Sequence, residues 1–254
     1  MADRQRRTRA VAAMATAVAG TFGACSSSSG TSSSEQESEA SVYVAVGASE
    51  TVGFGADRPA TQAWPAVLRK EALSKSRFVN LGIPGATVAT ALEQELPKAV
   101  ELSPTIVTVW LNVNDLIARV PLATYESQLA ELLRGLRRGG ATRVLVANTP
   151  PLDRLPAYLA CLPNPQAGPD AKCPLPPGMV PSPELVRLGV SAYNKIIAKV
   201  AAAEGAEVVD LHSVGLAARS KNREALLFGK DGFHPSTAGH QAVADSFAEA
   251  IDSK

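Results

Sequence analysis

A serine and a histidine near opposite ends of the chain, Ser49 and His234, have the types needed for nucleophilic chemistry. A serine hydroxyl becomes a competent nucleophile when a neighbouring base takes its proton, and an imidazole titrates in the right range to be that base. His234 lies three residues after Asp231, in Asp231-Gly232-Phe233-His234-Pro235-Ser236. A carboxylate and an imidazole at that spacing can share one turn, the carboxylate fixing the ring tautomer and stabilising the imidazolium that forms. A metal pair is the rival reading. The chain has three histidines and no second ligand cluster, which counts against it.

Ser49 sits in Gly47-Ala48-Ser49-Glu50-Thr51-Val52-Gly53, after a short apolar run. On its own it could be a plain turn serine. The segment is not a Walker phosphate loop, and Gly53-Phe54-Gly55 lacks the third glycine of a dinucleotide fingerprint. It is not the GxSxG elbow either, because Thr51 stands at the second glycine position. Two further loops have the character of oxyanion donors. Asn80-Leu81-Gly82-Ile83-Pro84-Gly85-Ala86-Thr87 offers backbone N–H groups at its glycines, or is simply a Pro-Gly turn. Asn112-Val113-Asn114-Asp115 offers an asparagine side chain, or is an Asx turn or helix cap.

These loops need elements to position them. Short apolar runs predict strands at Ser41–Val46, Arg77–Leu81, Thr105–Leu111, Arg143–Asn148 and Glu207–Leu211. Helical periodicity covers Trp64–Ser74, Val88–Leu102 (interrupted or kinked by Pro97), Leu122–Arg138 with a stop at Gly139-Gly140, Pro183–Glu204 with Gly205 at its end, and Ser236–Ile251 with Ser236 as N-cap. Strands alternating with helices imply a parallel sheet covered on both faces, and strands apolar throughout suit burial on both sides. Ligands in such sheets sit at the carboxyl ends of the strands. The serine, glycine and asparagine loops follow the first, second and third strands, and Asp231 and His234 immediately precede the last helix.

Taken in that order, the four segments resemble the SGNH (GDSL-type) hydrolase family. Its blocks are a GDS-like serine motif, an N-x-G-x-x-G loop, a G-x-N-D loop and a C-terminal D-x-x-H. Here they read GAS (47–49), NLGIPG (80–85), NVND (112–115) and DGFH (231–234), and the likeness spans about 42 to 251. Ala48 replaces the usual Asp of the first block and Asn112 the usual Gly of the third. The resemblance implies a three-layer α/β/α sandwich with a mainly five-stranded parallel sheet, of flavodoxin-like type. It implies hydrolysis of carboxylic esters by Ser49 as nucleophile, with His234 as general base and Asp231 orienting it. The implied oxyanion hole is the backbone N–H of Ser49, the backbone N–H of Gly85 and the side chain of Asn114. No metal or organic cofactor is required. The same machinery can remove acetyl groups from polysaccharides. A non-catalytic glycan- or lipid-binding protein is the alternative of another class, and the presence of all four side-chain groups counts against a decayed site.

Composition adds the setting. The formal charge is +1 overall, and residues 1–25 carry four arginines and one acid, leaving about −2 for the rest. Basic residues in the body are dispersed among acids, and nothing in the composition points to a nucleic-acid surface. Arg4 to Arg9, an alanine-rich run from Ala10 to Gly20 and Thr21-Phe22-Gly23-Ala24-Cys25 read as an export signal ending in a lipobox-like site for lipidation of Cys25, although Phe22 stands where leucine is commonest. Residues 26–40 read as a flexible serine-rich tether and 41–254 as one domain. The expectation is an exported, monomeric, extracytoplasmic protein held to the membrane by a lipid anchor, or else secreted. In an oxidising compartment Cys161 and Cys173 would form a disulfide within the Pro-rich loop from Pro150 to Pro183, a loop that either lines the pocket or is a surface excursion. His212 and His240 read as structural, packing or surface residues, Trp110 as core, and Asp115 as the anchor of a loop.

Overall fold

The computed structural model describes residues 41–164, 173 and 180–253. The signal-like segment, Cys25 and the tether to residue 40 lie outside the described residues.

Five strands, β1 (Val42–Gly47), β2 (Arg77–Asn80), β3 (Ile106–Trp110), β4 (Arg143–Ala147) and β5 (Glu207–Val209), form one sheet in the order β2-β1-β3-β4-β5. Every neighbouring pair is parallel, with Val46 opposite Val109 and Gly47 opposite Trp110 where β1 meets β3. Side chains alternate along the strands. Val44, Val46, Val107, Val109, Val144 and Val146 point to one face, and Tyr43, Ala45, Ile106, Leu145 and Ala147 to the other. The first face is covered by α2 (residues 88–101), α3 (Leu122–Arg137) and α4 (Pro183–Glu204). The second is covered by α1 (Trp64–Glu71) and α6 (Thr237–Asp252), with Trp64 stacked on Phe247 at 4.5 Å. Fully burying a side chain of this size removes it from water at about 1.5–3 kcal/mol each. The two apolar clusters are therefore what fixes the three layers.

Most elements lie within a residue or two of their expected places, and the departures have local causes. Pro97 neither breaks nor ends α2. The helix widens into a π turn over Ala91–Glu95, immediately before Leu96–Glu101, and so absorbs the hydrogen bond that proline cannot donate. Helix α3 stops one residue before Gly139-Gly140, because Arg138 itself adopts the left-handed conformation at φ 48°. An additional helix, α5 (Leu211–Ser220), takes up the end of the fifth predicted strand. Gly215 at its centre lowers helical propensity but lets the helix close on Pro151: a Cβ there would lie 2.5 Å from Pro151 Cδ. A short helix, Val113–Ile117, follows β3.

Candidate active site

In the order β2-β1-β3-β4-β5 the direction of winding reverses between β1 and β3, and such a reversal opens a crevice at the carboxyl ends of the strands. Ser49 and Asn114 both lie there. Ser49 is the first residue of a helical turn, Ser49–Val52, where a backbone N–H has no partner within the helix. The strand runs into this turn through Gly47, which is extended rather than left-handed. Glycine is required by crowding: a Cβ would come within 2.1 Å of Thr51 Oγ1 and 2.9 Å of the Trp110 carbonyl oxygen. The Gly47 N–H donates to Glu95 Oε2 at 2.8 Å, so the π turn of α2 anchors the strand end that carries Ser49.

The second and third loops are tied to the first. Ile83 N–H donates to the Gly47 carbonyl at 2.9 Å, and Asn80 Nδ2 to the Thr51 carbonyl at 2.7 Å. Gly85 is left-handed at φ 77°, with open space where a Cβ would be, so the backbone alone demands glycine there. Asn114 Nδ2 donates to the Ala86 carbonyl at 2.9 Å, which orients the amide beside Gly85 and leaves its second hydrogen unspent. Asp115 is buried and accepts the Val88 N–H, at 3.1 Å to Oδ1 and 3.2 Å to Oδ2. Burial outweighs those bonds and lifts its carboxyl to about 6. Asn112, at the position where the resemblance expects glycine, is buried and donates from Nδ2 to the Ala147 carbonyl at 3.3 Å, linking the ends of β3 and β4.

The Asp231–His234 segment is a closed turn. Asp231 Oδ1 accepts the backbone N–H groups of Phe233 (2.9 Å) and His234 (3.0 Å), and Oδ2 lies 2.6 Å from His234 Nδ1. Burial alone would raise the Asp231 carboxyl; the hydrogen bonds from His234 and the two backbone groups prevail and hold it below the ordinary carboxylate range. The other ring nitrogen, Nε2, lies 2.9 Å from Ser49 Oγ, across 185 residues of chain. With the ring hydrogen on Nδ1, Nε2 accepts from the serine and Nδ1 donates to the aspartate. Phe54 and Phe233 meet the imidazole edge-on, at centroid distances of 5.4 and 5.0 Å, and restrict its rotation. The turn is braced further by buried His240. Its Nδ1 accepts the Trp64 N–H at 3.3 Å and its Nε2 donates to the Phe54 carbonyl at 3.0 Å, so it is an internal tie rather than a surface residue. His212 is likewise structural, with Nδ1 3.1 Å from the Thr149 carbonyl oxygen.

Two features were not evident from sequence. Glu50, next to the serine, is buried, and its Oε2 accepts from Ser49 Oγ at 3.4 Å. Burial raises its carboxyl, against the opposing pull of its own backbone N–H, His234 and Ser49. The Pro-rich loop, secondly, is no surface excursion at its start. Leu152 and Leu155 are buried and help wall a cavity of about 90 Å³ that is also lined by Glu50, next to Ser49 in sequence, and by Phe233 and Pro235, which flank His234. The Ala157 N–H donates to the Gly232 carbonyl at 3.1 Å, joining this loop to the Asp231–His234 turn. Cys161 and Cys173 are disulfide-bonded. Among the described residues no three His, Cys, Asp or Glu side chains are grouped to hold a metal ion, and no helix is long and apolar enough to cross a membrane.

A five-stranded parallel sheet of this order, with a serine, a histidine and an aspartate in hydrogen-bonded sequence at its carboxyl edge, defines the class of serine ester hydrolases. The chain belongs to the GDSL-like lipase/acylhydrolase family, whose model matches residues 45–242. No curated protein matches it in sequence. Among solved structures it is similar to TesA, at 22% identity over 83% of this chain and 97% of that one, with a TM-score of 0.59. It is also similar to the lipase/acylhydrolase from Enterococcus faecalis, at 17% identity, 84% and 96% coverage and a TM-score of 0.62. A third is the acetyl xylan esterase AlAXEase, at 16% identity, 83% and 100% coverage and a TM-score of 0.60. At these identities the likeness is one of fold.

Proposed function

We propose that the protein hydrolyses carboxylic esters through a covalent acyl-enzyme on Ser49. The observation that carries this reading is the position of His234, its ring nitrogens 2.9 Å from Ser49 Oγ and 2.6 Å from Asp231 Oδ2. Ser49 Oγ adds to the ester carbonyl carbon while His234 Nε2 takes its proton; Asp231 stabilises the imidazolium. The bond from carbon to the alcohol oxygen then breaks, and His234 returns the proton to the departing alcohol. Water enters, gives a proton to Nε2 and attacks the acyl carbon; the acid leaves and Ser49 Oγ recovers the proton. Negative charge on the carbonyl oxygen is received by the Ser49 and Gly85 N–H groups and the free Asn114 amide hydrogen. No cofactor takes part.

Intact mass after exposure to a fluorophosphonate tests this. A single adduct on the wild-type protein, absent from Ser49→Ala and formed slowly by His234→Ala, is the expected result. A folded wild-type protein that forms no adduct would instead favour a binding protein with an idle site. An O-acetyl esterase acting on polysaccharide is a second reading within the same chemistry, suggested by the likeness in fold to an acetyl xylan esterase. Acetate release from an acetylated xylan would distinguish it from hydrolysis of soluble esters alone.

The setting proposed for this enzyme is outside the cytoplasm, as a monomer. Residues 1–25 would direct export, Cys25 would carry the lipid and 26–40 would form the tether to a domain at 41–254. The basic, apolar and small-residue order of the first segment supports this, as does the Cys161–Cys173 disulfide. The variant Cys25→Ser is expected to leave the membrane fraction; continued membrane association would remove the anchor from the proposal.

A further inference from the structure

The cavity lined by Glu50, Phe233 and Pro235, the sequence neighbours of Ser49 and His234, contains two polar groups that the reaction above leaves idle. Most of its wall is apolar, built from Val113, Leu152, Leu155, Leu211 and Phe233 among others. Glu50 and Trp110 both line it, at 7% and 5% exposure. Glu50 is in no ion pair among the described residues, and its side-chain contact with Ser49 Oγ is long at 3.4 Å. The indole Nε1–H of Trp110 is buried without any hydrogen-bond partner. Glu224 also reaches this cavity, but its carboxylate is engaged by Arg154 at 3.2 Å and Arg219 at 3.0 Å. An unmade hydrogen bond at a buried polar group is costly, and folded proteins retain few such groups. One unpaired indole N–H, in a cavity that also holds the weakly engaged Glu50 carboxyl, indicates that the missing partner arrives with the substrate. The letters G-D-S-L that give the family its name end in leucine. This chain has Ala48 and Glu50 around the serine instead, so an acid is absent before Ser49 and present after it, on the cavity wall.

We propose that this cavity is the acyl pocket and that it selects a short acyl chain bearing a hydroxyl group, which Glu50 and Trp110 bind. The inference rests on the reading of Ser49 as nucleophile. Size sets the chain length: a cavity of about 150 Å³ holds benzene, and this one, at about 90 Å³, is smaller, which suits an acyl group of roughly four carbons. The two idle groups set the chemistry. The indole N–H needs an acceptor, which an ammonium group lacks, whereas a hydroxyl accepts from the indole while donating to the carboxyl. A plain alkyl chain of the same length would seal the Trp110 N–H away unpaired and leave Glu50 with only its long contact to Ser49. Glu50 and Trp110 are thus specificity-determining residues, acting on the acyl group while Ser49 and His234 act on the ester.

The test compares kcat/KM of the full-length protein for p-nitrophenyl butyrate and p-nitrophenyl 3-hydroxybutyrate, beside fluorophosphonate labelling. A site built to hydrogen-bond a substrate hydroxyl discriminates strongly against the analogue lacking it, and the hydroxylated ester is expected to be preferred by about tenfold or more. Glu50→Leu and Trp110→Phe, each shown to be folded by its thermal melt, are expected to bring that ratio towards one. Equal rates for the two esters in the wild type would overturn the inference, as would a preference that survives in folded Glu50→Leu. The wild-type ratio decides the matter even where a variant does not fold. A wild-type protein that takes up no fluorophosphonate and cleaves neither ester refutes the Ser49 reading itself; one that is labelled but shows no hydroxyl preference refutes only the pocket.

Discussion

The two halves of the sheet's carboxyl edge are held by different forces. Over β1, β2 and β3 the loops are short and are sewn together by neutral backbone and amide bonds, such as Asn80 to Thr51, Ile83 to Gly47 and Asn114 to Ala86. Over β4 and β5 the chain is long and is clamped by charge and covalent linkage. Buried Asp153 accepts from both Arg187 and Arg219 at 3.0 Å, Glu224 pairs with Arg154 and Arg219, and Cys161 is bonded to Cys173. The first half carries Ser49, Gly85 and Asn114, three of the groups proposed to act on the ester, and His234 reaches Ser49 from the segment after β5. The second walls the cavity that receives one end of it. Reaction geometry thereby rests on short loops bonded directly to one another, while the pocket is free to vary with the loop that forms it.

Replacing Ser49 or Asn114 of the first half, or His234 that meets Ser49, should cut turnover sharply with little effect on substrate preference. Ser49→Ala and His234→Ala are each expected to lower kcat by about 10⁴-fold or more, and the double variant hardly further, because the two groups act as one unit. Steady-state rates on a soluble ester measure this; additive losses would show that the two residues act independently. Next in size is Asn114→Ala. Loss of one oxyanion donor is expected to cost about 10²–10³ in kcat with KM nearly unchanged. A rise in KM alone would place Asn114 in ground-state binding instead.

The same division governs what the sequence made legible. Ser49, Gly85, Asn114, Asp231 and His234 lie in loops fixed by strand ends and turn chemistry, so their types and order were enough to bring them to one edge. The Asp231–His234 turn is a three-residue matter that any reader of spacing can find. Glu50 escaped notice because its meaning depends on which side of the turn is buried. The wall formed by Leu152, Leu155, Leu211 and Phe233 is assembled from segments far apart in sequence, with no periodic pattern to announce it. Helix α5 was missed because its short run with a central glycine resembles a loop until Pro151 is seen packed against Gly215. His240 was legible as a helix residue but not as the tie to Phe54, a contact made across 186 positions.

In the second half the effects should be smaller and should fall on binding. Asp153→Ala leaves Arg187 and Arg219 without their shared partner. Arg187 is half-exposed and can turn to solvent, so the loss is expected at about 1–3 kcal/mol rather than the larger figure for a fully buried pair. Faster hydrogen exchange over residues 151–161 and a few-fold rise in KM, with kcat nearly constant, are the expected signs. The Arg219 and Arg187 hydrogen bonds overcome the effect of burial and hold the Asp153 carboxyl below its ordinary value. Its contribution is therefore complete above the unfolded carboxylate range and is lost as pH falls through the lower folded value. Acid should accordingly loosen this half, and exchange measured as pH is lowered should rise here before it rises around β1. Simultaneous loosening of both would erase the distinction.

The weakest effect on activity, and the one that sharpens the comparison most, is expected at Glu95. It is the one acid buried under the first half that accepts a strand-end N–H, from Gly47, and burial lifts its carboxyl to about 8 despite that bond and the nearby Lys98 charge. A carboxyl whose folded value lies above its unfolded value binds more protons folded than unfolded between the two. Stability contributed by the neutral form is thus full at acid pH and declines as pH rises from about 4.5 to about 8, each unit of separation being worth about 1.4 kcal/mol. Glu95→Gln keeps an acceptor for the Gly47 N–H and has no proton to lose. Below the folded value it should match the wild type in kcat within about twofold, while its melting temperature should fall less than that of the wild type on the way to pH 8, Asp115 titrating alike in both. The slopes would then run in opposite directions in the two halves, Asp153 weakening its half in acid and Glu95 weakening its own in base. A wild-type melting temperature that rises with pH over this interval, unchanged in Glu95→Gln, would show that Glu95 is already ionised in the folded protein.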